Sequence, residues 1–242
     1  MEERIWRSVS SNTLIYAGRT GPSSQCRIAE EIILNWYETL DRVLADFAHS
    51  IQVSAGTVAT PVLRVISVLG NGGAIFIAAA VVFLLFRKTR TTGISALIAL
   101  LIGALVTNLL LKNVIARERP FVDENSVYFT YWLNTGSMAA SGYSFPSGHT
   151  TAAMAFATAL FLHGNKKISW LAFLIPLLMG FSRIYFSVHF CTDVLAGMAA
   201  GLVAGILAWA VVLLLRKNRY FAKFEQAQGI VGYIRSKREK YQ

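Results

Sequence analysis

Five apolar runs dominate the chain, at about residues 72–86, 94–115, 147–163, 168–187 and 193–215. Most of these runs are long enough to cross a bilayer, which takes roughly 17–25 residues as helix, and all five are read as spans. Upstream the pattern changes. Apolar residues fall at Trp36, Leu40, Val43, Leu44, Phe47 and Ile51, with Glu38, Asp41, Arg42 and Asp46 between them. An apolar stripe with a charged back favours a helix lying on the membrane over one crossing it. Five spans leave the N-terminus outside, and a sixth within about 46–70 puts it inside; the pattern leaves both open. The first 24 residues lack the apolar core segment of a cleavable signal.

Composition agrees with this reading. Of 242 residues, 55% are hydrophobic and 15% charged, against about 25% charged in soluble domains. The expectation is an all-α, polytopic transmembrane helical bundle in one domain. Basic residues cluster at Arg87, Lys88 and Arg90, at Lys166 and Lys167, and from Arg216 to Lys240. If the five spans alternate, all three clusters fall on one side, and Lys/Arg-rich short loops mark the cytoplasm. The C-terminus is then cytoplasmic, while residues 116–146 and 183–193 lie outside together. The net charge of +10 is thus orientation signal plus a basic, aromatic-containing tail suited to anionic lipid. Nucleic-acid binding is set aside, because the charges are spread over membrane-flanking loops and form no reader motif. Cys26 and Cys191 make neither metal-ligand spacing nor a disulfide framework.

Ionisable residues near a span are costly and therefore informative. Three groups stand at the outer ends of spans. In "LKNVIARERPF", Lys112 and Arg119 are seven residues apart, which on one helix projects both from one face, with Asn108 a turn earlier. Arg117 is read as a charge terminating the helix before Pro120. In "YSFPSGHTT", Pro146 suits a helix's first turn. Ser147 and Gly148 offer backbone N–H groups, and His149 stands where it can deliver a proton. N-capping by Ser147 with an interfacial His149 fits that stretch equally well. In "FSRIYFSVHFCTDVLAG", His189 and Asp193 are four apart, hence stacked on a helical face, and Arg183 adds a cation. A carboxylate that fixes an imidazole tautomer leaves the other nitrogen free as nucleophile.

The carboxylate inventory narrows the chemistry. No acidic residue lies between Asp46 and Glu118, and Asp193 is alone between Glu124 and Glu225. A two-metal cage needs more carboxylates than these. Cations, a helix N-terminus and two histidines suit metal-free phosphoryl transfer through a phosphohistidine, with no cofactor.

Lys112-x6-Arg119-Pro120, Pro146-Ser147-Gly148-His149 and Ser182-Arg183-x5-His189-x3-Asp193 together closely resemble the three signature motifs of the type 2 phosphatidic acid phosphatase superfamily, which includes vanadium haloperoxidases. The resemblance covers about residues 60–215. It implies catalytic roles for His189 as nucleophile, Asp193 as its partner and His149 as proton donor. Lys112, Arg119, Ser147, Gly148 and Arg183 would hold the phosphoryl oxygens. It also implies a membrane lipid phosphatase acting on phosphatidic acid, phosphatidylglycerophosphate or undecaprenyl diphosphate at the extracytoplasmic face of a cell membrane, with a bell-shaped pH profile.

The chain then divides into an N-terminal segment with an interfacial helix (1–60), a transmembrane phosphatase domain (61–215) and a basic cytoplasmic tail (216–242). A lipid phosphotransferase with the same phosphohistidine, or a transporter gripping anions with the same cations, are the rivals. A transporter has no need of the His189/Asp193 pair. The aromatics of 121–145 (Tyr128, Phe129, Tyr131, Trp132, Tyr143) are expected either to wall the pocket or to mark the interface. Gly197, Gly201 and Gly205 are expected to let the last span pack closely on a neighbour, in the chain or in a dimer. Pro176 is expected to kink its span. His49 and His163 are read as interfacial. The natural lipid and the oligomeric state are not legible.

Overall fold

The structure, a computed structural model, describes residues 24–227, with the side chains of 36–225 and of Ala227. The N-terminal residues and the tail beyond 227 lie outside the described residues, as does the Cys26 side chain. By internal contacts the chain divides between Thr39 and Leu40. Of the first unit, the described part is the opening of helix α1 (Ser24–Leu69). The second unit carries the rest of α1, then α2 (Ala74–Leu84), α3 (Arg90–Ala104), a π-helical segment (Leu105–Leu111) and α4 (Lys112–Ile115). There follow α5 (Val127–Asn134), α6 (Gly148–His163), α7 (Lys166–Ser169), α8 (Leu174–Tyr185), α9 (Cys191–Leu215) and α10 (Arg219–Gln226).

Four helical stretches among the described residues are long and apolar enough to cross a membrane: Trp36–Leu69, Arg90–Ile115, Lys166–Tyr185 and Cys191–Leu215. Three match expected spans. The fourth joins the amphipathic stripe and the candidate sixth span in one helix, interrupted by a non-helical Ala55. The expected spans at 72–86 and 147–163 are instead shorter, as Asn71–Leu84 and the 16-residue α6. At 1.5 Å per residue α6 extends about 24 Å, less than the roughly 30 Å of a hydrocarbon core. Its place explains its composition. Eight of its side chains, including Thr150, Thr151 and Thr158, are buried among neighbouring helices, so it is not selected for contact with lipid.

The α6–α9 seam is closed by the glycine ridge. A Cβ on Gly197 would lie 2.6 Å from the Ser147 carbonyl oxygen, and one on Gly201 would lie 2.4 Å from that of Thr151. At Gly205 it would lie 2.5 Å from Thr158 Cβ. The ridge is therefore used within the chain, and only residues without a side chain allow this approach. Pro176 does not kink a helix. It sits in the first turn of α8, following a 3-10 turn at Trp170–Phe173, where its missing N–H costs nothing.

The bundle has two chemically different ends. At one, Arg90 donates to the carbonyls of Phe224 (2.6 Å) and Ala227 (2.9 Å), and Glu225 pairs with Arg216 and accepts from Thr91. Helix α10 is thereby fastened over the start of α3, beside the basic clusters. At the other end α8 stops, α9 starts and the partners of α1 lie. Gln52 donates to the Tyr185 carbonyl, Thr60 bonds the Tyr185 hydroxyl, Arg64 donates to the Thr135 carbonyl, and Ser67 meets Arg183. Ala48 and Leu63 close a core with Ile184, Tyr185, Phe186 and Val188.

Candidate active site

A cavity of about 570 Å³ opens at the end where α9 starts. Its wall takes Gly70–Gly73 from the α1–α2 turn, Thr107 and Asn108 from the π segment, and Lys112 from α4. Ala139, Ala140 and Ser141 come from the loop before α6, Gly148 and His149 from α6, and Arg183 from α8; Arg119 and His189 complete it. Residues separated by as many as 119 positions, Gly70 and His189, thus converge on one space. Ile77, Leu97, Leu100 and Leu101 line it as well, so the wall is cationic in one part and aliphatic in another.

Lys112 and Arg119 reach the cavity differently from the helical expectation. The wide turns of the π segment precede Lys112, and α4 ends at Ile115 with Ala116 in the left-handed region (φ 48°). Arg119 therefore approaches from a loop and not from a shared helical face. Its guanidinium is fixed by the carbonyls of Gly142 (2.9 Å), Val188 (2.8 Å) and Ser141 (2.8 Å). That clamp leaves part of its five-donor fork for the cavity. Burial pushes its pKa down, with the Asp193 charge acting in the opposite sense.

His189 lies outside α9, in the turn that precedes it, and is almost fully buried. Its pairing with Asp193 is made across the helix start. Asp193 Oδ2 accepts from the Phe190 N–H (2.9 Å) and from the Ser144 hydroxyl, and it stands 3.5 Å from His189 Nδ1. Ser144 Oγ is itself 3.3 Å from Nδ1. Nδ1 is thus committed to Asp193 and Ser144, while Nε2 looks into the cavity, 3.4 Å from Arg119 Nη1. Burial, seconded by Arg183 and Arg119, holds the imidazole well below the usual histidine range against the opposing pull of Asp193. A neutral ring with an unprotonated Nε2 facing the cavity is a competent nucleophile.

His149 occupies the first turn of α6, and its Nε2 lies 2.9 Å from Asn71 Oδ1. Asn71 belongs to a Gly-Asn-Gly-Gly turn in which Gly72 (φ 60°) and Gly73 (φ 70°) adopt left-handed backbone that glycine takes readily. Arg183 is buried; its Nη1 meets Ser67, and its Nε has no partner among the described residues. A buried donor left unpaired costs about 1–3 kcal/mol, and an anion oxygen in the adjoining cavity is a suitable acceptor.

Six of the eight sequence-derived site residues line the cavity. Asp193 and Ser147 stand directly behind it, both fully buried. The Ser147 N–H is engaged by the Asp193 carbonyl (3.0 Å) and its hydroxyl accepts from Thr150 (3.0 Å), so it ties α6 to α9. The loop aromatics do not wall the cavity. Tyr131 stacks on His49, Trp132 stacks on Phe121 and donates to the Met138 carbonyl, and Tyr128 meets Phe190 edge-on. Trp132 thereby holds Met138, the residue before the short segment 139–141 that does form the wall. Ser144, Asn71 and Arg117 were not singled out as site residues from sequence; each owes its place to partners far along the chain. Among the described residues no three His, Cys, Asp or Glu side chains are grouped to hold a metal ion.

Comparison with known proteins agrees with this geometry. The family model described as the PAP2 superfamily matches residues 92–217, which contain all three motifs. The chain is 35% identical over 123 residues to an undecaprenyl-diphosphatase of Sulfolobus acidocaldarius, covering 51% of this chain and 56% of that one. It is 37% identical over 115 residues to the undecaprenyl-diphosphatase BcrC of Bacillus subtilis, covering 48% and 55%. The matches thus span about half the length of these curated relatives. The crystal structure of a transmembrane PAP2 type phosphatidylglycerolphosphate phosphatase from Bacillus subtilis superposes with a TM-score of 0.58 at 26% identity, over 80% of this chain and 94% of that one. With the motifs converging on one cavity inside a helical bundle of that shape, the chain belongs to the PAP2 superfamily.

Proposed function

We propose that this protein is an integral-membrane lipid phosphatase that hydrolyses a phosphate monoester or diphosphate lipid through a phosphohistidine on His189, without a metal ion. The observation that carries the reading is the divided wall of one cavity. Lys112, Arg119, Arg183 and both imidazoles stand on one part, while Ile77, Leu97, Leu100 and Leu101 stand on another. Such a space suits a molecule with a doubly charged head and a hydrocarbon tail. Undecaprenyl diphosphate, phosphatidylglycerophosphate and phosphatidic acid are the substrates to test, the first two because relatives act on them by name.

The reaction proceeds in two displacements. The Nε2 lone pair of neutral His189 forms a bond to phosphorus as the bond to the leaving oxygen breaks. That oxygen keeps the electron pair and takes a proton from His149. Asp193 and Ser144 stabilise the positive charge that develops on the His189 ring, and the three cations hold the phosphoryl oxygens. A water oxygen then attacks phosphorus and passes a proton to His149. The P–N bond breaks, its electrons return to Nε2, and inorganic phosphate leaves.

The site belongs to the extracytoplasmic face in this reading. Support comes from the basic residues Arg87, Lys88, Arg90, Lys166, Lys167 and Arg216, which sit at the opposite ends of the helices that carry the site. The test is phosphate release by purified protein in detergent from the three lipids, with and without EDTA. Release that persists in EDTA, is blocked by vanadate and is lost in His189→Ala supports the proposal. Release from none of the three, or activity restored only by added Mg²⁺, overturns it.

A further inference from the structure

We infer that Arg117 and Asp41 are positioning residues for this reaction, acting through Asp193 to set the orientation and charge of His189. The inference rests on the reading of His189 as the nucleophile. From the sequence, Arg117 is a charge at a helix end and Asp41 belongs to the polar back of an amphipathic stripe. In the fold the two meet beside the catalytic pair. Arg117 divides its guanidinium between two carboxylates, with Nη2 2.8 Å from Asp41 Oδ2 and Nη1 2.8 Å from Asp193 Oδ1. Nη1 also donates to the Thr192 hydroxyl (2.7 Å).

Asp41, on α1, is buried, and it collects three donors. Besides Arg117 these are the Thr192 N–H (2.8 Å) and the Thr192 hydroxyl (2.9 Å). The carboxylate of one helix therefore caps the first turn of another, the one that carries Asp193. The guanidinium lies 3.8 Å from the ring centroid of Phe190, the residue next to His189. Three segments distant in sequence are fastened at a single point, one residue from the nucleophile. Neither Arg117 nor Asp41 lines the cavity, so neither touches substrate.

The arrangement has a charge order as well as a shape. Asp193 gives Oδ2 to Ser144, Phe190 and the imidazole, and Oδ1 to Arg117. A cation on Oδ1 draws charge from Oδ2 and weakens its support of an imidazolium. Asp41, on the other arm of Arg117, offsets part of that effect. The other charged or titratable groups around His189 are Arg119 from the loop after α4, Arg183 from α8, and Lys112 and His149 across the cavity. Removing the charge of Arg117 should therefore make His189 easier to protonate, and removing that of Asp41 should make it harder.

The experiment compares wild type with Arg117→Gln, Arg117→Lys, Asp41→Asn and His189→Gln as full-length protein in detergent, using undecaprenyl diphosphate as probe. The expected loss in Arg117→Gln is about tenfold or more in kcat with KM within about twofold, since the lost interaction does not bind substrate. The acid limb of its pH profile moves to higher pH, while that of Asp41→Asn moves to lower pH. Arg117→Lys keeps the charge but cannot reach both carboxylates, so it loses kcat without moving the limb. The same order is read without turnover from the steepness with which Tm falls on acidification, with His189→Gln as the reference lacking that proton site. Unchanged kcat in both neutral variants, or limbs moving in the same direction, overturns the inference. A wild type inactive on every lipid overturns the proposed reaction instead, and the order of the Tm slopes still decides whether these residues set the charge on His189.

Discussion

At the scale of the residue, His189 has one ring nitrogen held by Asp193 and Ser144 and the other turned to the cavity, the placement on which its proposed role rests. His189→Gln should keep the fold and lose turnover by at least about 10³-fold, as measured by phosphate release alongside thermal unfolding. Its depressed pKa has a consequence for stability. Below about pH 6.5 the unfolded chain takes up a proton that the folded ring resists, so wild type loses stability as pH falls through the interval down to the depressed value. His189→Gln should flatten that decline by up to one proton, about 1.4 kcal/mol per pH unit. Equal slopes in the two proteins would exclude a neutral buried His189. The sequence made Lys112, Arg119, Gly148, His149, Arg183 and His189 legible, because their spacing is a shared pattern. It concealed Arg117 and Ser144, whose bonds to Asp193 cross 76 and 49 positions and leave no local signature.

At the scale of the element, the site depends on how α6 and α9 approach each other. Gly201→Ala would place a Cβ 2.4 Å from the Thr151 carbonyl oxygen and 2.9 Å from the Ala155 nitrogen, both backbone atoms that cannot swing aside. The helices must separate, at a cost typical of overpacking, about 1–3 kcal/mol or more. Because Asp193 and Ser147 lie at the same seam, activity should fall together with Tm. Gly148→Ala is the contrast, since its Cβ would meet only Asn108 Oδ1, at 3.7 Å. An equal loss of Tm in both variants would contradict this packing. Glycines at every fourth position announced a close seam, but not its partner. Helical periodicity likewise placed Lys112 and Arg119 on one face, and failed because the chain widens into a π segment and then breaks at Ala116. Hydropathy marked a span at 147–163, where α6 is a 16-residue helix enclosed by its neighbours and shorter than the other apolar stretches.

At the scale of the whole molecule, the cavity lies at one end of the bundle and the basic, α10-fastened end lies opposite. Cleaving the Arg90 contacts with Arg90→Ala frees the carbonyls of Phe224 and Ala227 far from the cavity. Tm should fall while kcat/KM of the remaining folded protein stays within about threefold of wild type, because nothing in that latch touches the transition state. A selective loss of kcat without loss of Tm would show that the two ends communicate. The most direct measurement is rapid acid-free quenching of the protein with lipid radiolabelled in its terminal phosphate, followed by mapping of the labelled peptide. The label should appear on His189 before phosphate is released, and be absent from His189→Ala. Turnover with no labelled protein at any time, or label on another residue, would contradict the phosphohistidine and with it the roles assigned to the residues around that ring.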